Sequence, residues 1–532
     1  MVEQGKVSAT GQSSNAGARI SVRAVFDLAL AHYRSGRTDL AERLFRDLLA
    51  VDPNDLAACT NLGLVLMARG KLTDASVQFH RALELEPELA EAHLSLGNVF
   101  RAQGASDQAT ARYYQALSLK PNIAAVYSNL GGLCLDQNKL DEAIIWFQHA
   151  LAIKPDLAEA HNNLANLLQS LGRLDDAVKC YCNALAIRPD DPTVHNNLGN
   201  LLLAQGRREE SIACYRRALA LKQVYPDAHI ALGTALLQLG RTEEATIVAR
   251  SAVQLPDSPS FPHYMLGLFL AKCGFREAAQ IHFTVCLDRD RTDRQGAGLA
   301  LARMGLRPLP ERAPTALLSR IYSSRAQSWD RGSADYRGAD LVARMFARHV
   351  GNHGQLDLLD AGSGTGLVGA AIRPWARRLD GVDLSPQMCE RARQKNIYDR
   401  IEQGDLIDYM RRHPAAYDVV TSAATFIHFG DLRPVLDAAA MTLRDRGLLI
   451  FTLLENQGGA DTFAVGSLDG LAQGGCYVHG RKYIAELAEQ MGFFVAVVES
   501  AVHEMRLGQE IMGLIVVLQK LRTRNAADDR AS

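Results

Sequence analysis

Asp360, Gly362, Gly364, Gly366 and Asp383 are the residues whose types and spacing most plainly suit chemistry. They fall in Leu356-Asp-Leu-Leu-Asp-Ala-Gly-Ser-Gly-Thr-Gly-Leu-Val-Gly369 and Gly381-Val-Asp-Leu-Ser385. An apolar strand runs into an acidic residue and a glycine-rich turn that opens a helix. A second strand ends in a carboxylate about 20 residues on. Glycines let the backbone approach a nucleoside ligand closely, and a carboxylate at the second strand end can hold both ribose hydroxyls. Gly364 to Gly369 alone fits the dinucleotide pattern G-x-G-x-x-G, a weak signal by itself. In that pattern the strand runs almost straight into the first glycine, whereas here Asp360 and Gly362 intervene. A diphosphate also prefers the bare positive end of a helix, without a carboxylate beside it. S-adenosylmethionine, which carries a sulfonium and an ammonium, suits Asp360 better.

The elements around these residues alternate between helices and short apolar strands, the mark of an α/β layer fold. Helices are expected near 316–328 and 339–350, and strands at 356–361, 379–383, up to 404–405, 417–421 and 448–453. A helix near 432–443, another near 483–490, and two final strands at 493–498 and 511–518 complete the pattern. The run Asp-Ala-Gly-Ser-Gly-Thr-Gly366 resembles motif I of the class I S-adenosylmethionine-dependent methyltransferases, whose Rossmann-like sheet has seven strands with the last inserted antiparallel. The resemblance implies that Gly362, Gly364 and Gly366 approach the methionine portion, with Asp360 towards its ammonium side and Asp383 on the ribose. Met388 packs on adenine or is an ordinary core contact. Gly404-Asp405-Leu406 resembles the family's adenine-contacting element, with a helix cap as the alternative role of Asp405. On the acceptor side, His428 in Ser422-Ala-Ala-Thr-Phe-Ile-His-Phe-Gly-Asp431 is the candidate general base, an imidazole titrating near neutral pH, or else a structural histidine. The Asn/Asp-Pro-Pro-Tyr/Phe motif of amino-methylating enzymes is absent from this segment.

Upstream, Pro53, Pro87, Pro121, Pro155 and Pro189 recur every 34 residues. Within each period come a small residue (Gly63, Gly97, Gly131, Ala165, Gly199), an alanine, an aromatic (Phe79, Tyr113, Phe147, Tyr181) and a second alanine. Two antiparallel helices per period follow, with small residues where they cross, an aromatic filling the gap and proline ending the second helix. This resembles the tetratricopeptide repeat. About eight repeats are expected over 22–293, the last two degenerate, after a flexible tail at 1–21. A linker at 294–314, an α/β domain at 315–522 and a flexible tail at 523–532 complete the expected organisation. Asn61, Asn129, Asn163 and Asn197 occupy one place on the first helices, with Asn98, Asn166 and Asn200 a turn further on. Facing the concave groove, they can pair with an extended peptide backbone, or tie neighbouring helices together. The first reading resembles the asparagine ladder of O-linked N-acetylglucosamine transferases. His93, His161 and His195 recur in register, where helix packing is the better account.

Lys plus Arg number 58 and Asp plus Glu 59 in 532 residues, so charge gives no reason to expect nucleic acid or an anionic membrane. Nine cysteines show no C-x-x-C pair and no apolar run approaches a membrane span. A reduced, cytoplasmic protein without a metal site is expected, its oligomeric state open. Nearly the whole chain resembles bacterial methyltransferases that carry N-terminal tetratricopeptide repeats. The resemblance rests on Trp329-Asp330, Tyr336-Arg337, motif I, Gly381 to Pro386, Cys476-Tyr-Val-His479, Arg506 and Gly513. Several members have arginine where Cys476 stands. Tyr336 and Arg337 are expected as a lid over the donor, with a surface helix-capping pair as the alternative. Methyl transfer from S-adenosylmethionine, with the repeats recruiting a protein or extended peptide, is the expected function. The rival is an interaction scaffold whose methyltransferase fold has lost catalysis.

Overall fold

The computed structural model describes residues 21–327, 329–331, 336–351, 354–456, 463–465, 475–506 and 509–522. Apart from Ser21, both expected tails lie outside them. The chain divides into two compact units, Met1–Arg241 and Thr242–Ser532.

The first unit is a superhelix of six helix pairs plus one further helix, Pro226–Gln238. The pairs begin with Val22–Arg34 and Thr38–Val51 and end with Pro192–Ala204 and Arg208–Leu221. Phe45, Phe79, Tyr113, Phe147, Tyr181 and Tyr215 are wholly buried between the helices. The small residue opposite each aromatic sets how closely the helices approach. A Cβ on Gly97 would stand 2.6 Å from the Tyr113 ring, and one on Gly63 2.7 Å from Phe79. Ala165 opposite Tyr181 shows that one methyl can be absorbed there. His93, His161 and His195 place Nε2 at 3.0, 3.0 and 2.9 Å from the carbonyl oxygens of Pro87, Pro155 and Pro189, tying each first helix to the turn before it.

The second unit opens with helices Thr242–Ala252, His263–Lys272, Arg276–Arg289 and Ala297–Arg303. The last of these lies inside the stretch expected as a linker. Helices Thr315–Arg325 and Gly338–Val350 lead into a sheet of strands β1 (Leu356–Ala361), β2 (Ala376–Asp383), β3 (Arg400–Gln403), β4 (Tyr417–Ser422), β5 (Leu443–Glu455), β6 (Phe463–Val465), β7 (Tyr477–His479), β8 (Phe493–Arg506) and β9 (Gln509–Lys520). Strands β3-β2-β1-β4-β5 are parallel; β9 joins β5 antiparallel and β8 pairs with β9. The seven expected strands are therefore present, the last inserted antiparallel. The three-residue strands β6 and β7 add to them, β7 pairing with the end of β5. Alternate residues of the central strands face opposite layers. Leu358, Val419 and Ile450 pack on helix Gly338–Val350, while Leu359, Val420 and Phe451 pack on the layer containing Arg433–Thr442 and Arg481–Gln490. Both faces are covered, and the carboxyl ends of the strands are left to build a site. Among the described residues no helix is long and apolar enough to cross a membrane.

Gly97→Val should destabilise the repeats by roughly 1–3 kcal/mol, because a whole isopropyl group must displace the Tyr113 ring. Gly97→Ala should cost much less, as Ala165 indicates. Urea midpoints followed by circular dichroism would check this; equal midpoints for the wild type and the valine variant would show that the ring yields freely.

Candidate functional site

Behind β1 the chain turns through Gly362, Gly364 and Gly366, all with positive φ (82°, 53° and 88°). A Cβ on Gly362 would fall 2.0 Å from Thr425 Oγ1, whereas Gly364 has no atom within 4 Å of that position and leaves its backbone open. The N–H groups of Gly362 and Ser363 donate to Val382 O at 2.8 and 3.0 Å, bringing the turn against the end of β2. There Asp383 receives Gly364 N–H on Oδ2 (2.9 Å) and Ser385 N–H on Oδ1 (2.8 Å). Burial pushes its carboxyl above the ordinary aspartate value, with both N–H bonds opposing. Ser385 also caps helix Pro386–Gln394 through Met388 N.

Asp360 lies deeper. It is buried, receives the Tyr398 hydroxyl at 2.6 Å, and does not line the pocket above. Burial raises its carboxyl to about 6, against the pull of Tyr398 and the Gly369 N–H. Gly369 and Gly381 make room for that tyrosine: a Cβ on either would come within 2.2 or 3.0 Å of its ring or hydroxyl.

A cavity of about 850 Å³, its open mouth included, lies at the carboxyl ends of β1, β2 and β4. This is within the range of cofactor pockets. Of the candidates, Gly362, Gly364, Asp383, Met388, Tyr336 and His428 line it together. Gly366, Arg337 and Asp405 do not, although Gly404 and Leu406 do. Arg337 has an exposed side chain and holds His503 O through its backbone N–H at 2.8 Å. Asp405 Oδ1 caps helix Leu406–Arg411 through Ile407 N and Asp408 N, and its Oδ2 pairs with Arg312.

Aromatic side chains wall the side of the cavity near His428. Tyr322, Trp329 and Tyr336 follow one another with centroids 5.6 and 5.9 Å apart. The Tyr322 hydroxyl meets His428 Nε2 at 2.7 Å, while His428 Nδ1 lies 3.0 Å from Gly475 O. A carbonyl only accepts, so Nδ1 carries the proton and Nε2 accepts from Tyr322. Burial pushes this imidazole down to about 4, so at neutral pH it is uncharged with both nitrogens engaged. The Tyr336 hydroxyl and Ser363 Oγ line the same cavity, buried and without a hydrogen-bond partner among the described residues. No local pattern separates Tyr322 and Arg312 from ordinary helix or loop positions, and Ser363 lies within the motif I run without a role of its own there.

In the repeats, Asn129 Nδ2 donates to Asn98 Oδ1 at 2.7 Å, and Asn197 Nδ2 to Asn162 and Asn166 at 3.4 Å each. Asn163 Oδ1 lies 3.5 Å from Asn162 Nδ2, and Asn61 Nδ2 bonds its own helix at Ala57 O, 2.8 Å away. Asn98, Asn166 and Asn200 accept from the hydroxyls of Tyr113, Tyr181 and Tyr215. The four candidate asparagines are half-buried.

Residues 26–78 match the family described as Tetratricopeptide repeat, and 63–104 that described as TPR repeat. Residues 86–298 match the Cilia and flagella-associated protein 70 C-terminal domain, and 359–449 the Methyltransferase domain. Malonyl-[acyl-carrier protein] O-methyltransferase of Serratia marcescens is 29% identical over 163 residues, 31% of this chain and 59% of that protein. Ubiquinone biosynthesis O-methyltransferase of Idiomarina loihiensis is 26% identical over 145 residues, 25% of this chain and 58% of that protein. The chain thus spans less than two thirds of the length of these relatives. The solved structure of Pseudomonas aeruginosa pilF is 21% identical with a TM-score of 0.36, covering 41% of this chain and 97% of that one.

The raised carboxyl of Asp360 has a signed consequence. The folded protein holds its proton between roughly pH 4 and 6, where the unfolded chain has released it. Its contribution to stability is therefore full at low pH and lost as pH rises through about 6. The stability difference between wild type and Asp360→Asn should fall by roughly 2 kcal/mol from pH 4 to pH 7. Urea titrations at each pH measure it, and a constant difference would mean that water reaches the carboxyl.

Proposed function

For a chain in which tetratricopeptide repeats precede a methyltransferase domain, we propose methyl transfer from S-adenosylmethionine to an oxygen of an acceptor, with the repeats recruiting a protein partner. The observation that carries the donor half is Asp383. It stands at the tip of β2 beside an open glycine turn, with one backbone N–H on each oxygen and further lone pairs for two ribose hydroxyls. The unpartnered Ser363 and Tyr336 hydroxyls suit the polar amino-acid end of the same ligand.

S-adenosylmethionine supplies a methyl on a sulfonium, already activated for in-line displacement. The chain's own work is then to hold the donor, align the nucleophile and keep water out. The Gly362–Gly364 backbone and Asp383 hold; Met388 and Leu406 pack against the base. His428 fixes the Tyr322 oxygen beside the acceptor, so any proton bound for the imidazole passes through Tyr322. Asp360 supports the turn from below, its charge favoured when a cationic ligand sits above. That both relatives are O-methyltransferases supports an oxygen acceptor.

The full-length protein should bind S-adenosylhomocysteine in calorimetry, and Asp383→Ala should bind it at least ~100-fold more weakly. Two charge-assisted bonds of roughly 1.5–3 kcal/mol each are lost. Equal affinity would reduce Asp383 to a strand-end cap.

Partner recruitment is assigned to Asn61, Asn129, Asn163 and Asn197. Changing Asn129, Asn163 and Asn197 together to Ala should abolish capture of the partner while helicity and S-adenosylhomocysteine affinity stay unchanged. Single changes, at roughly 0.5–1.5 kcal/mol each, should be hard to detect. Undiminished capture by the triple variant would confine these amides to tying helices together.

A further inference from the structure

The segment Pro310–Ala313 precedes the expected methyltransferase domain, yet it is bonded into the pocket. Glu311 O accepts from Gly430 N and Asp431 N at 2.7 and 3.0 Å, and Ala313 N donates to His428 O at 2.9 Å. The Tyr477 hydroxyl donates to Pro310 O at 2.7 Å. Between these anchors Arg312 projects its side chain along the cavity wall. Its guanidinium lies 4.8 Å from the Phe429 ring centroid and pairs with Asp405, and its buried Nε has no partner among the described residues. The neighbouring wall, built by Leu384, Met388, Leu406 and Phe429, is a mostly apolar slot suited to a flat base.

We propose that Pro310–Ala313 is a clamp closing the nucleobase end of the pocket, with Arg312 as a cofactor-positioning residue. This rests on the S-adenosylmethionine reading above. The carboxylate of Asp405 is occupied by two helix N–H groups and the guanidinium, so what meets the base is a donor. Adenine's ring nitrogens are acceptors, which Nε–H complements, and the planar guanidinium stacks where an ammonium would not. Six residues separate helix Ala297–Arg303 from the clamp. The flanks of that helix are tied by Arg276 Nη2 to Met304 O at 2.5 Å and by Arg320 Nε to Arg294 O at 3.0 Å. Cofactor affinity thus depends on chain lying before residue 315.

Calorimetry on full-length protein with S-adenosylhomocysteine and with adenosine tests this. Arg312→Ala should weaken both ligands by the same factor, about tenfold. Arg312→Lys, which keeps the charge opposite Asp405, should lose nearly as much. Tyr477→Phe, which releases Pro310 without touching the cavity, should lose about threefold for both. Thermal midpoints of the ligand-free variants confirm folding. Wild-type affinity in both Arg312 variants would overturn the clamp, as would a loss confined to S-adenosylhomocysteine with adenosine unaffected. A wild-type protein that binds neither ligand would overturn the cofactor reading, and the clamp with it.

Discussion

The two N–H bonds from Gly364 and Ser385 to the Asp383 carboxylate govern the geometry of the pocket. One comes from the turn after β1 and the other from the start of the helix after β2, so a single side chain ties two crossovers at the sheet edge. Without them the turn would be held to β2 only at Gly362 and Ser363, and the open backbone at Gly364 would not face a defined space. The carboxylate is in turn kept rigid by burial. A desolvated anion is expensive to move away from its donors, which makes a stiff post of a group that would wander on the surface. The Val382 carbonyl, receiving both Gly362 and Ser363 N–H groups, fixes the other side of the same turn.

The repeats rely on a different constraint, steric rather than electrostatic. Phe79, Tyr113, Phe147 and Tyr215 are each seated where the partner helix lacks a side chain, so the spacing of those helices is set by what is missing at Gly63, Gly97, Gly131 and Gly199. The tyrosines among them add a hydroxyl bond to an asparagine on the first helix. Asn98, half-buried, and Asn200, exposed, combine that structural bond with an accessible position, so the two roles read from the sequence are not mutually exclusive.

Much of this was legible because it is local. The motif I run, Asp383 at the next strand end and the 34-residue period each announce themselves within a short window, and most of the seven expected strands follow from apolar runs, the four-residue β3 being the exception. What escaped is non-local or too short. Strands β6 and β7 have three residues each, below the length at which alternation is visible. The prolines around Arg312 are the usual mark of a linker, and only the fold brings that arginine to Asp405, 93 positions away. The low proton affinity of His428 comes from burial among groups distant in sequence. The charge of Asp360 predicts a side chain facing the ligand; it instead meets Tyr398 beneath the turn.

Tyr398 crosses beneath the turn to reach Asp360, and Gly369 and Gly381 are bare where its ring passes. Those three positions and the aspartate make up one inherited unit. A methyl group arriving first at Gly369 collides with the tyrosine hydroxyl that serves the buried carboxylate, and one at Gly381 presses on Ile401 and then on the ring. Losing the tyrosine first leaves a void beside that same carboxylate. Neither order offers a neutral intermediate, so drift among descendants of this chain should leave the foursome intact or replace it wholesale.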